Sequence, residues 1–443
     1  MTASVPYQPP AHGFRTFLIL WATQSVSIIG TAVGWFALTV WLAQQFQTQD
    51  ELGPKLALLG LVGGLPTVLL APVAGAWADR YDRKRLMLVA DVLSGLLSVA
   101  GVWFLFSGRM QFAIVVALGF LYPCVGAFHS AAFDTSYAML VPDAQLPRAN
   151  GMMQTMWSLS SIVSPGIAAL LIALPTGVGG ALLVDAVTFF LAAATLLVLV
   201  IPSPQRADLH TADGAKSLWS DIGEGARFIW RRRPILWLLG TFTISNFAVT
   251  AMMVLTPVLV KFRLAPSYEA LGLAFTGALA AMQTAAGVGG VIGGVLFSLW
   301  GGLKARRVWG VLIPILVSGV AQTVYGLSMW FYLSLAVSFL LVGLVPVMNS
   351  HSQAIWQSQT PREMQGRVFA VRRLVAWVLN PVSTGLAGLL TGWGVEAWTI
   401  VTVLGLLTVA WCVANLFNVP LRRVDDPGYL DAYAARAGPL GET

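Results

Sequence analysis

Charge-free apolar runs of membrane-spanning length recur along almost the whole chain, from Phe17 to Val419, separated by short polar or Gly- and Pro-bearing breaks. A helix needs about 20 mainly apolar residues to cross the hydrocarbon of a bilayer. On that criterion the first half of the chain predicts spans near 16–43, 56–78, 86–107, 111–138, 150–174 and 180–201. The second half predicts spans near 235–260, 271–300, 308–328, 331–356, 374–394 and 397–419. Two runs are too long for one helix. The first, Ala149–Val184, divides at the turn-forming Pro175-Thr176-Gly177 and Gly179-Gly180. The second, Val308–Pro361, divides at Gly326-Leu327-Ser328, a weaker break.

Composition explains why these runs have to be membrane helices. Hydrophobic residues make up 57% of the 443 and charged residues 10%, and the mean hydropathy is +0.76. Soluble domains carry about 25% charged residues, so this chain cannot cover itself in water. The segment Met1–Gly13 lacks the basic region and small-residue cleavage site of a signal peptide, and the first span is expected to stay in the mature protein. Cys124 and Cys412 both lie in apolar runs. They can build neither a disulfide framework nor a metal cluster, and read as packing residues.

The net charge of +7 becomes informative once it is distributed. With the N-terminus inside, one side of the membrane receives Arg15, the Arg80–Arg85 cluster, Arg148, Arg206 through Arg233, Lys304–Arg307, Arg362–Arg373 and the tail. The other side receives Lys55, Arg109, Lys261 and Arg263, so the division is 22 basic residues against 4. Basic residues concentrate on the cytoplasmic side, which predicts an even number of spans with both termini in the cytoplasm. The basic excess is therefore a topology signal, and nucleic acid is not an expected partner.

The longest hydrophilic stretch, Pro202–Arg233, lies at the centre of the chain. Within it Leu218, Trp219, Ile222, Ala226, Ile229 and Trp230 recur at helical spacing, while Asp221, Glu224 and Arg227 face elsewhere. This predicts either an amphipathic helix at the cytoplasmic interface, favoured by the two tryptophans, or a soluble linker helix. The expected organisation is a six-helix bundle over 1–201, a linker over 202–234, a second bundle over 235–419 and a tail over 420–443. The halves echo each other: Pro142 precedes Arg148 by six residues and Pro361 precedes Arg367 by six, each leading into a span with an internal proline, Pro165 or Pro381.

At the end of the second span the sequence reads Gly75-Ala-Trp-Ala-Asp79-Arg80-Tyr81-Asp82-Arg83-Lys84-Arg85. This resembles the loop signature of the major facilitator superfamily, in which a glycine is followed by Asp-Arg and a basic triplet. Phe128 to Phe133, Leu146-Pro147-Arg148-Ala149-Asn150, Gly366-Arg367-Val368-Phe369-Ala370 and Ile222 through Arg231 resemble the branch containing macrolide-efflux-like and siderophore exporters. The resemblance implies an all-α membrane protein of the major facilitator fold, twelve transmembrane helices as two six-helix halves with pseudo-two-fold symmetry and a substrate site near the midplane. In the signature, Gly75 is expected to allow close helix packing. Asp79 is expected to pair with arginines or cap a helix, and Arg83, Lys84 and Arg85 to anchor the loop to anionic headgroups. With Arg80, Arg148 and Arg367 these form the expected gating set. The corresponding loop of the second half, Gly301-Gly302-Leu303-Lys304-Ala305-Arg306-Arg307, has no acid. Ser161-Ile-Val-Ser164-Pro165-Gly166-Ile167-Ala168-Ala169 resembles the family's antiporter motif, with serine and alanine where it has glycines.

Ionisable residues inside spans are functional candidates by default. Asp91, His129, Asp134 and Asp185 qualify as candidate proton carriers. Asp91 and Asp134 lie near the cytoplasmic end and read either as proton carriers or as partners of the basic loops and Arg148. Asp185 reads as a carrier or as a helix cap. His129 lies deeper and reads as a titrating group or a hydrogen-bonded packing residue. By family analogy the substrate cavity draws on Gln24, Thr31, Trp35, Tyr122, Trp157, Ser245, Asn246 and Thr250. Asn349 and His351 lie nearer the cytoplasmic end, and each aromatic residue can equally belong to the interfacial belt. No phosphate-binding Gly-x-x-x-x-Gly-Lys-Ser/Thr loop or other enzyme motif is present. The expectation is a secondary transporter of the inner membrane that acts as a monomer without cofactor. It would take a small amphipathic drug-like substrate, use protons as coupling ion and contact membrane lipid. A siderophore, lipid or metabolite carrier, or a non-transporting scaffold or receptor, are the alternatives.

Overall fold

The computed structural model of the chain describes residues 10, 12–201, 218–426 and 428–436. Among them there is no strand, and twelve helices are long and apolar enough to cross a membrane. The first six are α1 (Gly13–Gln45), α2 (Gln49–Arg80), α3 (Arg83–Phe106), α4 (Phe112–Leu140), α5 (Leu146–Ala173) and α6 (Gly177–Val198). A helix α7 (Leu218–Arg231) follows and leads into α8 (Arg233–Phe262). After the short α9 (Ala265–Glu269) come α10 (Phe275–Trp300), α11 (Trp309–Leu327), α12 (Phe331–Gln359), α13 (Gln365–Val378), α14 (Asn380–Gly392) and α15 (Ala397–Leu416). Two short helices, α16 (Val419–Arg422) and α17 (Tyr429–Arg436), close the chain.

The weakest sequence break is a true one: α11 ends at Leu327 and α12 begins at Phe331. The largest departure is the eleventh span, which covers Arg362–Gly392 instead of 374–394. Arg367, Arg372 and Arg373 stand on the helix, where charge-free reading places a loop. Arg372 explains why this is tolerated, since it donates to Gln353 Oε1 at 2.6 Å and to Ser352 Oγ at 3.2 Å and lies over the Trp356 ring. The span divides at Leu379, where Pro381 opens α14, as expected of a residue without an N–H to continue a helix.

The chain separates into two compact units. One contains residues 1–47, 58–210 and 276–284, and the other contains 48–57, 211–275 and 285–443. In the first, α6 packs against both α1 and α3, and Phe17, Leu20, Met87, Phe133, Leu140 and Met156 form a buried core. In the second, α11 packs on α15 and α12, with Ile235, Leu238, Val311, Leu312, Trp356 and Val368 in its core.

Backbones meet closely where α11 crosses α15. A Cβ on Gly405 would lie 2.7 Å from the Thr323 nitrogen and 3.0 Å from the Gly319 oxygen. Small residues at such crossings provide the van der Waals contact that replaces the missing hydrophobic drive in lipid. Gly405→Leu is expected to lower stability by about 1–3 kcal/mol through overpacking, read as a lower midpoint of thermal aggregation in detergent; an unchanged midpoint would show that this crossing is loose.

The helix expected within the central hydrophilic stretch forms as α7. Phe228 and Ile229 are buried in the core of the second unit, and α7 packs on α13. A Cβ at Gly225 would lie 2.7 Å from the Arg367 carbonyl oxygen, and Glu224 accepts from Arg367 Nη1 at 2.7 Å. Trp230 is exposed. The side chains of Leu218, Trp219, Asp221 and Ile222 lie outside the described residues, as do positions 202–217 of the expected linker.

Candidate functional site

Three helices of the first unit carry polar residues in pairs seven positions apart. They are Gln24 and Thr31 on α1, Asp91 and Ser98 on α3, and Tyr122 and His129 on α4. Seven residues are two helical turns, about 10 Å along the axis, and return to nearly the same face. The result is two polar layers inside one bundle.

The layer nearer the loop between α2 and α3 is built around Asp91, which is 2% exposed. Gln24, equally buried, donates from Nε2 to Asp91 Oδ2 at 3.3 Å. His129 Nε2 approaches Asp91 Oδ1 to 3.3 Å, within ion-pair reach but outside hydrogen-bond alignment. The imidazole is held by stacking on the buried Phe133 ring.

The second layer centres on Asp185, also 2% exposed. Ser98 Oγ donates to Asp185 Oδ2 at 2.8 Å and Tyr122 Oη donates to the same oxygen at 3.1 Å. The Thr31 hydroxyl bonds this carboxylate as well, and Gly34 leaves room for it, since a Cβ there would lie 3.2 Å from Oδ2. Asp185 Oδ1 has no partner, and among the described residues no salt bridge reaches the carboxylate. This layer therefore knits α1, α3, α4 and α6 through hydroxyls alone.

Several expectations are corrected here. Asp91 does not reach the basic loop or Arg148, because its side chain turns inward to Gln24 and His129. Asp185 is no helix cap, for it stands eight residues inside α6 among α1, α3 and α4. Asp134 is exposed and, although turned from His129 by about 140° around α4, lies close enough to feel its charge. His129 both stacks on Phe133 and faces the Asp91 carboxylate.

The signature loop does its work through Arg83. This side chain is 8% exposed and donates from Nε to the Ala78 oxygen at 3.1 Å and from Nη1 to the Thr135 oxygen at 3.3 Å. It thereby satisfies a carbonyl in the last turn of α2, which the helix leaves orphaned, and ties it to α4. Asp79 lies 3.7 Å from Arg83 Nη2 but is 73% exposed. Lys84 reaches the Leu197 oxygen at the end of α6 at 3.1 Å. Asp82 caps α3, accepting from the Arg85 N–H at 2.8 Å. Gly75 does not serve close packing, because a Cβ there would meet nothing within 4 Å. Arg80 is exposed, Arg148 lies over the Phe14 ring, and Arg367 pairs with Glu224.

Among the expected cavity residues, Trp35 is half-buried beside Gly63 and Trp157 is exposed. In the second unit Asn246 Nδ2 donates to the Ala376 oxygen at 3.1 Å, Ser245 is buried and Thr250 is half-buried. Sequence reasoning missed Ser98 and Glu224 as partners. The seven-residue echo of Ser98 with Asp91 was the available signal for the first; a contact across 143 residues offered none for the second.

Among the described residues, twelve apolar helices with carboxylates buried between them define a multi-pass helical membrane protein. The Major Facilitator Superfamily model matches residues 20–379, and the chain belongs to that family of membrane transporters. It is 24% identical over 416 residues to "Macrolide efflux protein A" of Streptococcus pyogenes, covering 92% of this chain and 97% of that protein. It is 27% identical over 384 residues to "Multidrug efflux pump Tap" of Mycolicibacterium fortuitum, covering 83% and 88%. Among solved structures, a bacterial homologue of the human lysosomal transporter Spinster shares the fold with a TM-score of 0.62 at 13% identity, covering 98% of both chains. The nucleoside transporter NupG does so with a TM-score of 0.65 at 10% identity, covering 90% and 98%.

Proposed function

We propose that this transporter is a proton-coupled exporter of amphipathic organic compounds, working by alternating access with both termini in the cytoplasm. The observation that carries the reading is the Asp91–His129–Gln24 group, a buried carboxylate with a titratable imidazole at 3.3 Å and an amide that accommodates either charge state. Protonated Asp91 loses its attraction for a charged imidazole, which loosens α4 from α3; ionised Asp91 restores it. Two packings of one bundle that differ in a bound proton are what an ion gradient needs in order to bias a conformational equilibrium. The relatives named for macrolide and multidrug efflux support an apolar, drug-like substrate and the outward direction.

The test is efflux of a macrolide or a lipophilic dye from energised vesicles, with and without a protonophore. Collapse of the gradient is expected to reduce concentrative efflux to the level of protein-free vesicles. Efflux that continues at its original rate rules out proton coupling, and a second run with a sodium ionophore identifies the other cation.

A further inference from the structure

The second-half counterpart of the signature loop, residues 301–307, borders an open pocket of about 170 Å³ lined by Gly302, Lys304 and Arg307 together with Phe297, Ser350 and His351. We infer that this pocket binds the phosphate group of an anionic phospholipid from the surrounding leaflet.

The shape of the loop is fixed from below. His351, 3% exposed, bonds the Val347 oxygen through Nδ1 at 2.7 Å, which makes Nδ1 the donor and leaves Nε2 to accept the Leu303 N–H at 2.8 Å. Its ring lies against Phe297 and Trp300. Gly301 and Gly302 are both left-handed, with φ of 77° and 71°, and a Cβ at Gly302 would lie 3.0 Å from the His351 ring. The loop is thus a rigid turn rather than a loose connection.

Its cationic side chains form no ion pair among the described residues. In the first-half loop Arg83 satisfies carbonyls and stands beside Asp79. The second-half loop has no acid of its own, and among the described residues no carboxylate pairs with the Lys304 or Arg307 side chain. The nearby Asp425 accepts the Arg307 backbone N–H, and Asp426 pairs with Arg423. Lys304, Arg306, Arg307, Arg422 and Arg423 therefore face two carboxylates around this end of the bundle.

Three features favour a phospholipid as the source of the anion. The apolar face of α10 beside the pocket is exposed, with Leu296 at 60%, Leu299 at 80% and Trp300 at 57%, which offers an acyl chain a path down from the headgroup. Trp300 stands where an indole settles at a headgroup boundary. Basic pockets between membrane helices at the basic side of a protein recognise phosphate headgroups through the same chemistry. The inference does not depend on the efflux reading.

The experiment uses the purified full chain in a neutral detergent and a phosphatidylglycerol probe carrying its fluorophore on the acyl chain. Unlabelled phosphatidylglycerol is expected to displace the probe and phosphatidylcholine is not. The double variant Lys304→Gln with Arg307→Gln is expected to weaken probe binding roughly 25-fold, since each cation near a phosphate contributes on the order of a factor of five. Arg306→Gln, which removes a charge from the loop but not from the pocket lining, is expected to bind as wild type, and gel-filtration profiles confirm that all variants fold. Displacement by millimolar inorganic phosphate supports the phosphate chemistry and assigns the source to a soluble anion. Equal displacement by phosphatidylcholine, undiminished binding in the double variant, or an equal loss in Arg306→Gln overturns the proposal.

Discussion

Replacing Asp91 by Asn is expected to reduce gradient-driven efflux at least roughly tenfold while leaving substrate counterflow in place. The substitution keeps the shape of the side chain and the bond to Gln24 Nε2, but it fixes the group in a neutral state. A transporter whose conformational preference depends on the charge at this position then loses the dependence, and each 1.4 kcal/mol of lost bias is a factor of ten in an equilibrium. Counterflow needs only the exchange between conformations, so it survives. Asp134→Asn provides the contrast. That carboxylate is exposed and makes no hydrogen bond to Gln24, Asp91 or His129, and its replacement is expected to change efflux by less than about twofold. The two variants are measured side by side at equal membrane abundance. Equal, small effects would remove Asp91 from the coupling mechanism.

Arg83→Ala is expected to destabilise the first unit by about 2–4 kcal/mol, whereas Asp79→Asn is expected to alter stability by less than about 1 kcal/mol. The difference follows from burial. Arg83 supplies the donors to the Ala78 and Thr135 oxygens, and removing a buried donor leaves its acceptors to bear the full desolvation penalty. Asp79 is largely in solvent at 3.7 Å from its partner, where ion pairs contribute little. Thermal-aggregation midpoints of the two variants in the same detergent decide the matter. A larger loss for Asp79→Asn would mean that the acid, rather than the arginine, holds α2 and α3 to α4.

The helices were legible because a bilayer imposes one rule on every span, namely enough apolar residues to cover about 30 Å of hydrocarbon. That rule needs no knowledge of neighbours, and it located α11 and α12 across a faint Gly326-Leu327-Ser328 break. It failed where polar residues ride on a helix. The start of α2 at Gln49 carries Asp50, Glu51 and Lys55, and α13 carries Arg367, Arg372 and Arg373. Arg372 is accommodated only because Ser352, Gln353 and Trp356 of another helix receive it.

The candidate site was legible in part. Asp91, His129 and Asp185 announce themselves by charge in apolar surroundings, and Asp134 does so equally; yet the four differ completely in setting. One-dimensional depth placed Asp91 beside the basic loop and Asp185 at a helix end. Packing of α1, α3, α4 and α6 turned both inward and left Asp134 outside.

The sequence by itself determined the solvent, the number of crossings and the family, because these rest on composition, run length and a contiguous loop signature. Only the tertiary structure decided which acid meets His129, which hydroxyls surround Asp185, and that α7 docks on α13 through Glu224 and Arg367. The physical reason is rotational. Hydropathy fixes how deep a helix lies, whereas the direction in which a side chain points is set by contacts with helices tens of residues away along the chain.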